Sequence, residues 1–382
     1  MRVLLAAIRY PPAPGGAETH VQALAEGLAR RGHEVVVHTS DLHTEYPFVR
    51  RELPAEVNGV RVVRHRARRL LNAWTAMPTM PRALAKEEYD LIHAHSYGYF
   101  QTVAAARSAA QKRRPFVFTP HFHPPWSMEG GAGRRGLRAA FDPTLGQYVV
   151  SRAARLIGVS SGEIAVMQRH LRLDASRVRV IPNGFHAERF RPPPDGARFR
   201  AAFGLGDAPL VLFAGRLASN KGLPHLVRAW ERVAPEQPRA RLVLAGEDQG
   251  WRGRLEAMTT LPLTFTGHLD EPTYRSALAA ADLLVLPSEW EAFGIVLAEA
   301  AACGTPAIAT RVGGAPDVVQ DGVTGRLVEY GDVDALARAM RELLEDPALR
   351  ARMGEAARAR AFAEFAWDAV VERTEALYRE VL

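Results

Sequence analysis

Leu210-Val-Leu-Phe-Ala-Gly-Arg-Leu-Ala-Ser-Asn-Lys-Gly-Leu223 decides the architecture. Leu210–Ala214 is an apolar run too short for a helix and without polar alternation, as a strand buried on both faces requires. Gly215 and Gly222 bound a loop bearing Arg216 and Lys221, and a helical pattern opens near Leu223. Strand, loop and helix together make the first step of a parallel βαβ unit. Two cations at the mouth of such a sheet, next to a helix start, form an anion site suited to a pyrophosphate. The alternative is a solvated loop with two ordinary charges. The loop is not a P-loop, because the order Gly-x4-Gly-Lys-Ser/Thr is absent.

Working outward, the alternation continues through Arg241–Ala245, Leu263–Phe265, Leu283–Leu286, Ala307–Ala309 and Gly325–Val328, with helices dominant from Val333. Toward the amino terminus it appears at Val3–Ile8, Val35–His38, Leu91–Ala94, Phe116–Thr119, Leu156–Val159 and Val178–Ile181. Between the two series, Arg191-Pro-Pro-Pro-Asp-Gly196 cannot extend a helix or an interior strand and reads as a linker. The expected fold is α/β, with two Rossmann-like, doubly wound parallel-sheet domains, 1–190 and 191–366. A ligand cleft is expected between them at the carboxyl ends of both sheets.

Composition agrees and excludes several classes. The 382 residues are 47% hydrophobic and 24% charged, which excludes wholesale disorder. The single Cys303 cannot form an intrachain bridge and suggests a reducing compartment. In its helix-to-strand turn it reads as a small buried hydrophobe. Val3–Ile8 is too short for a signal-peptide core and far below the ~20 residues that span a bilayer, so a soluble or peripheral cytoplasmic protein is expected. Only three of the 49 Lys and Arg residues are lysines, which makes Lys221 an exception in an Arg-biased chain. Residues 1–190 carry 27 basic and 15 acidic side chains, and residues 191–382 carry 22 and 27. That asymmetry suggests that the first half meets an anionic partner.

Two further strand ends carry chemistry. In Ser288-Glu-Trp-Glu-Ala-Phe-Gly-Ile-Val-Leu-Ala-Glu299, Glu291 lies in a loop, Gly294 opens a helix and Glu299 lies about a turn inside it. Gly294, Ile295 and Val296 then present amide N–H groups to an anion, and Glu299, tilted toward the helix start, can accept from ribose hydroxyls. The competing reading is an ordinary helix-start charge and an exposed helix face. In Phe118-Thr-Pro-His121-Phe-His123, Pro120 fixes the turn and His121 emerges at the strand end. It suits proton or hydrogen-bond work near neutrality, and a satisfied structural role remains open. The spacing of His121 and His123 also fits a metal pair, but no suitable third ligand follows and no metal is expected. Gly15-Gly16, after the first strand, allows close approach of a ligand to the backbone, and the absence of Gly-x-Gly-x-x-Gly counts against a dehydrogenase.

Together, Gly-Arg-x4-Lys-Gly at 215–222, Glu-x7-Glu at 291–299, Gly15-Gly16 and Ile-Pro-Asn-Gly at 181–184 resemble the retaining GT-B glycosyltransferases of glycosyltransferase family 4. The resemblance implies that Arg216 and Lys221 hold a donor diphosphate, and that Glu299 binds the ribose. It implies that Glu291 meets the sugar hydroxyls with help from backbone groups of Phe293 to Val296. His121 would touch the donor sugar near the reacting centre. Gly15 and Gly16 would lie by the diphosphate or the acceptor, and Gly267, His268 and Leu269 would cradle the base. It further implies a terminal helix, 367–382, that completes the first domain. The implied reaction is front-face transfer from a UDP- or GDP-sugar with no cofactor, protein base or metal. Asp332-Val-Asp334 opens a helix after Gly331, so capping explains it better than manganese.

The basic excess gathers at Arg61–Arg69, where six of nine residues are Arg or His, at Lys112–Arg114 and at Arg134–Arg138. Trp74, Met77, Met80 and Trp126 lie nearby. This pattern fits peripheral docking on an anionic leaflet and a glycan or lipid-linked acceptor, with a solvated Arg-rich face as the alternative. No nucleic-acid motif accompanies the charge. A nucleotide-sugar epimerase of the same architecture and a non-catalytic nucleotide-sugar-binding homologue are the rival functions.

Overall fold

The structure is a computed structural model and describes residues 1–45, 48–70, 74–125 and 131–382, with no side chains described for 131–135. Trp126 therefore lies outside the described residues, as do the side chains of Arg134 and Arg135. The chain forms two compact units, Met1–Asn183 with Trp367–Leu382, and Gly184–Ala366.

The first unit is built on an eight-stranded sheet in the order Val178–Val180, Arg155–Gly158, Phe116–Thr119, Leu91–His95, Arg2–Ala6, Glu34–Ser40, Val60–His65, Glu56–Val57. Every neighbouring pair is parallel except the last, which is an antiparallel edge. Leu91–His95 is buried along its whole length, as expected where crossover helices cover both faces. The chain moves from Arg2–Ala6 to one side of the sheet and returns to the other side at Leu91–His95. The gap between the carboxyl ends of these two strands is the topological switch point, where open α/β sheets take ligands.

Helix Gly16–Arg30 lays Val21, Leu24 and Leu28 on this sheet. Helix Trp367–Val381 packs against it and adds Trp367, Val370, Val371, Leu377 and Tyr378 to the same core. The two helices come so close that a Cβ on Gly27 would lie 2.5 Å from Val371 Cγ2. Their polar edge is tied at Glu375, which accepts from Arg31, from His33 Nε2 at 3.0 Å and from Arg379 at 2.6 Å. Burial raises the Glu375 carboxyl, but Arg31, His33 and Arg379 outweigh it and hold the group at about 2.

The second unit has a six-stranded, all-parallel sheet in the order Thr264–Gly267, Arg241–Ala245, Leu210–Ala214, Leu283–Leu286, Ala307–Thr310, Gly325–Val328. Its switch point lies between Leu210–Ala214 and Leu283–Leu286. Helix Leu223–Val233 buries Leu223, Leu226, Val227, Trp230 and Val233, the apolar stripe of an amphipathic helix. Arg191–Gly196 is no free tether. Asp195 caps helix Gly196–Ala202 through the Ala197 amide at 2.9 Å, and its carbonyl accepts from Ser276 Oγ at 2.6 Å, so the run is part of the second unit. Among the described residues, no helix is long and apolar enough to cross a membrane.

Replacing Gly27 with Leu is expected to destabilise the chain by about 1–3 kcal/mol in urea unfolding, the usual cost of overpacking. Wild-type stability would show that the terminal helix is not docked there. Because the folded Glu375 carboxyl titrates below its ordinary 4.5, its contribution is fully present above about pH 4.5 and is lost as pH falls toward 2. The melting-temperature gap between wild type and Glu375→Gln should narrow across that range, and a gap independent of pH would remove the assigned ion pairing.

Candidate active site

In the second unit, the strand ends at the switch point bring together two of the residues singled out from sequence. Lys221 Nζ lies 2.6 Å from Glu291 Oε1, in a pair whose side chains are only 16% and 14% exposed. The same oxygen accepts from Ser288 Oγ at 2.7 Å, and the Glu291 carbonyl accepts from the Gly314 amide at 2.8 Å. Lys221 ends a short turn, Ser219–Lys221, and Gly222 follows it in the left-handed region at φ 64°. A Cβ on Gly222 would sit 1.9 Å from the Pro287 carbonyl oxygen, and the Glu289 amide donates to the Asn220 carbonyl at 2.9 Å. The Lys221 loop and the Glu291 loop are therefore pressed together by their backbones. Removing either charge would leave the other largely desolvated, which is costly.

Arg216 lies two residues past the end of strand Leu210–Ala214, is exposed, and has no ion-pair partner among the described residues. Its charge is available to a ligand, whereas that of Lys221 is already answered by Glu291. Gly294 caps helix Ile295–Cys303, and the Leu297 amide donates to the Gly294 carbonyl. The amides of Ile295 and Val296 precede Leu297, the first intrahelical donor, as an anion site at a helix start requires. Phe293 is buried edge-on against Phe365, with centroids 5.5 Å apart, which fixes the helix entry.

Glu299 lies further along this helix and accepts from Tyr274 Oη at 2.6 Å. Burial raises its carboxyl to about 7, against the opposing pull of Tyr274 and Arg189. Gly267 ends strand Thr264–Gly267 and is exposed with His268, while Leu269 is half-buried. The structure thus leaves Lys221 with Glu291 as the directly joined pair and places Glu299 with Tyr274.

In the first unit, Gly15 lies outside the normal range of L-residues at φ 146°, but the space its missing Cβ would fill is taken by Glu18 Oε2. The Glu18 carboxylate is buried and accepts from Arg9 Nε at 2.7 Å. The glycine is needed by the protein's own side chain, and exposed Gly16 begins the helix beside it. His121 follows strand Phe116–Thr119 with φ at +44°, a conformation uncommon for a non-glycine residue. Its turn is held by the Tyr97 amide donating to the Pro120 carbonyl at 2.6 Å.

His121 is not isolated. Its Nε2 lies 3.4 Å from His95 Nδ1, and its ring meets that of His20 edge-on with centroids 4.9 Å apart. His20 Nδ1 is 2.6 Å from Asn183 Oδ1, and His93 lies beside His95 with both nitrogens engaged by Tyr378 Oη and Thr119 Oγ1. Burial lowers all four imidazoles below the ordinary histidine value, His20 to about 4, so they are neutral at pH 7. The segment around His121 and His123 carries no third ligand of its own, while the fold supplies His20 and His95 from two others. The available signal was Leu91-Ile-His-Ala-His95, a buried strand with histidines on one face.

Part of the basic and apolar cluster expected at a docking surface makes internal contacts. Met77 and Met80 are completely buried, Arg61 pairs with Glu87, Arg64 donates to the Pro11 carbonyl at 2.7 Å, and Arg138 pairs with Asp142. Arg61, Arg66, Arg68, Arg69, Arg113 and Arg114 are exposed.

Comparison with known proteins supplies the family. A model described as Glycosyltransferase Family 4 matches residues 14–189, and one described as Glycosyl transferases group 1 matches residues 197–360. The chain is 32% identical to an alpha-maltose-1-phosphate synthase of Mycobacterium tuberculosis, over 100% of both chains. It is 29% identical to a GDP-mannose-dependent alpha-(1-6)-phosphatidylinositol monomannoside mannosyltransferase of Mycolicibacterium smegmatis, over 96% of this chain and 95% of that one. The solved structure of sucrose-phosphate synthase from Thermosynechococcus elongatus matches with a TM-score of 0.78 and 26% identity, over 99% of this chain and 98% of that one. With both units matched in order and full-length relatives above 30% identity, the chain belongs to glycosyltransferase family 4, the glycosyl transferases group 1 enzymes of GT-B fold, and is a glycosyltransferase.

Proposed function

We propose that this chain transfers a hexosyl group from a nucleotide-diphosphate sugar to a hydroxyl acceptor with retention of the anomeric configuration. The observation that carries the reading is the Lys221–Glu291 pair at the switch point of the second unit, next to the helix start at Gly294. In this reading Arg216 and Lys221 take the diphosphate, and the amides of Phe293 to Val296 add hydrogen bonds to it. Lys221 then shares its charge between phosphate and Glu291, and Glu291 turns its remaining oxygen to the sugar hydroxyls. Glu299, oriented by Tyr274, receives the ribose, and backbone groups of Gly267, His268 and Leu269 hold the base. The resemblance assigns His121 to the donor sugar and Gly15 and Gly16 to the diphosphate or acceptor.

The bond from the anomeric carbon to the phosphate oxygen breaks as the acceptor oxygen bonds on the same face. The acceptor's proton passes to the departing phosphate oxygen, so neither a protein base nor a metal is needed. Stabilising charge on the leaving nucleotide is then the main catalytic contribution. The mycolicibacterial relative is named for a GDP-mannose donor and a lipid acceptor, and the mycobacterial relative for a phosphorylated sugar product. They support a nucleotide-sugar donor and leave the acceptor as a hydroxyl of a glycan, lipid-linked or small-molecule substrate.

A panel of UDP-glucose, UDP-GlcNAc, UDP-galactose and GDP-mannose, read by thermal shift and nucleotide release, should identify one donor. Proton NMR of the product should show the donor's anomeric configuration. Inverted product, or epimerised sugar released without transfer, would overturn the reading. Lys221→Ala should lower kcat by about two orders of magnitude, as the loss of one preorganised charge contact does elsewhere. Wild-type turnover in that variant would exclude the assigned role. EDTA treatment should not lower turnover, and a loss restored by added Mg2+ or Mn2+ would contradict the metal-free step.

A further inference from the structure

The histidine cluster of the first unit is assembled from three separate elements at its switch point. His20 comes from the second turn of helix Gly16–Arg30, His95 ends strand Leu91–His95, and His121 follows strand Phe116–Thr119. One ligating nitrogen from each lies within 4.8 Å of the other two, and no other described group of His, Cys, Asp and Glu side chains has this geometry. The separation of 3.4 Å between His95 Nδ1 and His121 Nε2 is long for a nitrogen–nitrogen hydrogen bond. It matches the edge between two nitrogens bound to one tetrahedral zinc at about 2.0–2.1 Å, which is about 3.3 Å.

Two further observations point to a ligand. The His20 ring donates from Nδ1 to the buried Asn183 Oδ1, which fixes the tautomer and leaves the Nε2 lone pair for a metal. His121 keeps a sparsely populated backbone conformation, and its ring is half-buried, so the cluster opens to solvent on that side. His93 is not a ligand, because both of its nitrogens are engaged.

We propose that His20, His95 and His121 form a tris-imidazole site for one divalent transition-metal ion of the Zn2+ class, and that occupancy withdraws His121 from the transfer reaction. Three nitrogen donors and no carboxylate suit Zn2+, Co2+ or Ni2+ and not Mg2+ or Ca2+. Bringing the third nitrogen in from at most 4.8 Å to the edge length of a tetrahedral site takes a ring shift of about 1.5 Å. The fourth position is left to water. The inhibitory half rests on the role of His121 proposed above, whereas binding itself does not.

The test uses the full chain, stripped with EDTA and desalted. Titration with Co2+ should give the visible absorption of a tetrahedral ion, saturating at one per chain, and Zn2+ should displace it. Mg2+ and Ca2+ should not. His20→Ala and His95→Ala should each weaken Zn2+ binding by at least tenfold, and Asn183→Ala, which removes the outer hydrogen bond, by roughly 10–100-fold. X-ray absorption of the wild-type one-to-one zinc complex should show about three imidazole ligands, a readout that does not depend on any variant folding. No stoichiometric uptake, or a zinc shell without imidazole, would overturn the site. Under the same conditions Zn2+ should abolish transfer and EDTA should restore it. One-to-one binding with undiminished turnover would overturn the inhibitory half and count against His121 at the donor sugar, while leaving the diphosphate site of the second unit untouched.

Discussion

One constraint governs both units: parallel strands joined by right-handed crossovers place every strand-to-helix loop on the same edge of the sheet. Where the winding direction reverses, two neighbouring loops diverge and leave a gap that packing does not fill. In the second unit the loops flanking that gap follow Leu210–Ala214 and Leu283–Leu286, and they carry Lys221 and Glu291. In the first unit the gap lies beside Arg2–Ala6 and Leu91–His95, and the helix and strand ends around it carry His20 and His95. The side chains at the two gaps differ completely in character. The second unit offers charge and free amides, whereas the first offers neutral, mostly buried imidazoles.

The two cations of the second unit are not equivalent. A lysine ammonium is a compact point charge that follows its partner, whereas an arginine guanidinium is a rigid fork suited to two oxygens at once. Arg216 stands exposed, while Lys221 is paired at low exposure with Glu291, which also accepts from Ser288. In the proposed donor site, an anion would meet Arg216 first and compete for Lys221 second. The backbone locks at Gly222 and at Gly314 keep that competition within a fixed geometry.

Much of this was legible in the residues. Leu210–Ala214 and Leu283–Leu286 are read without error because an unbroken apolar run between turn signals has little else to be. Val60–His65 escaped because arginines at 61 and 64 interrupt its apolar pattern, although it is the second-last strand of the large sheet. The proline run at 191–196 reads as a tether because proline excludes helix and strand, but exclusion from regular structure does not mean detachment. At the sites, Lys221 and Glu291 could be named but not paired, since 70 positions separate them. His20 and His95 were invisible as partners of His121 for the same reason, and Asn183 lies 163 positions from the ring it orients. Met77 and Met80 lie beside the basic cluster in sequence but in the core of the structure, because burial, unlike hydrophobicity, is decided by what folds over a residue.

The first unit is closed by a helix encoded at the far end of the chain, with Trp367 and Tyr378 inside its core and Tyr378 bonded to His93. The second unit is contiguous. Translation delivers residues 184–366 as a whole before the first unit receives its last helix, so the part made first is the part finished last. Until then the surface destined for Val370, Val371 and Leu377 is open apolar area on helix Gly16–Arg30 and its sheet. A nascent chain in that state is a natural client for chaperones, and a ribosome stalled late in the message would release one complete unit and one incomplete unit.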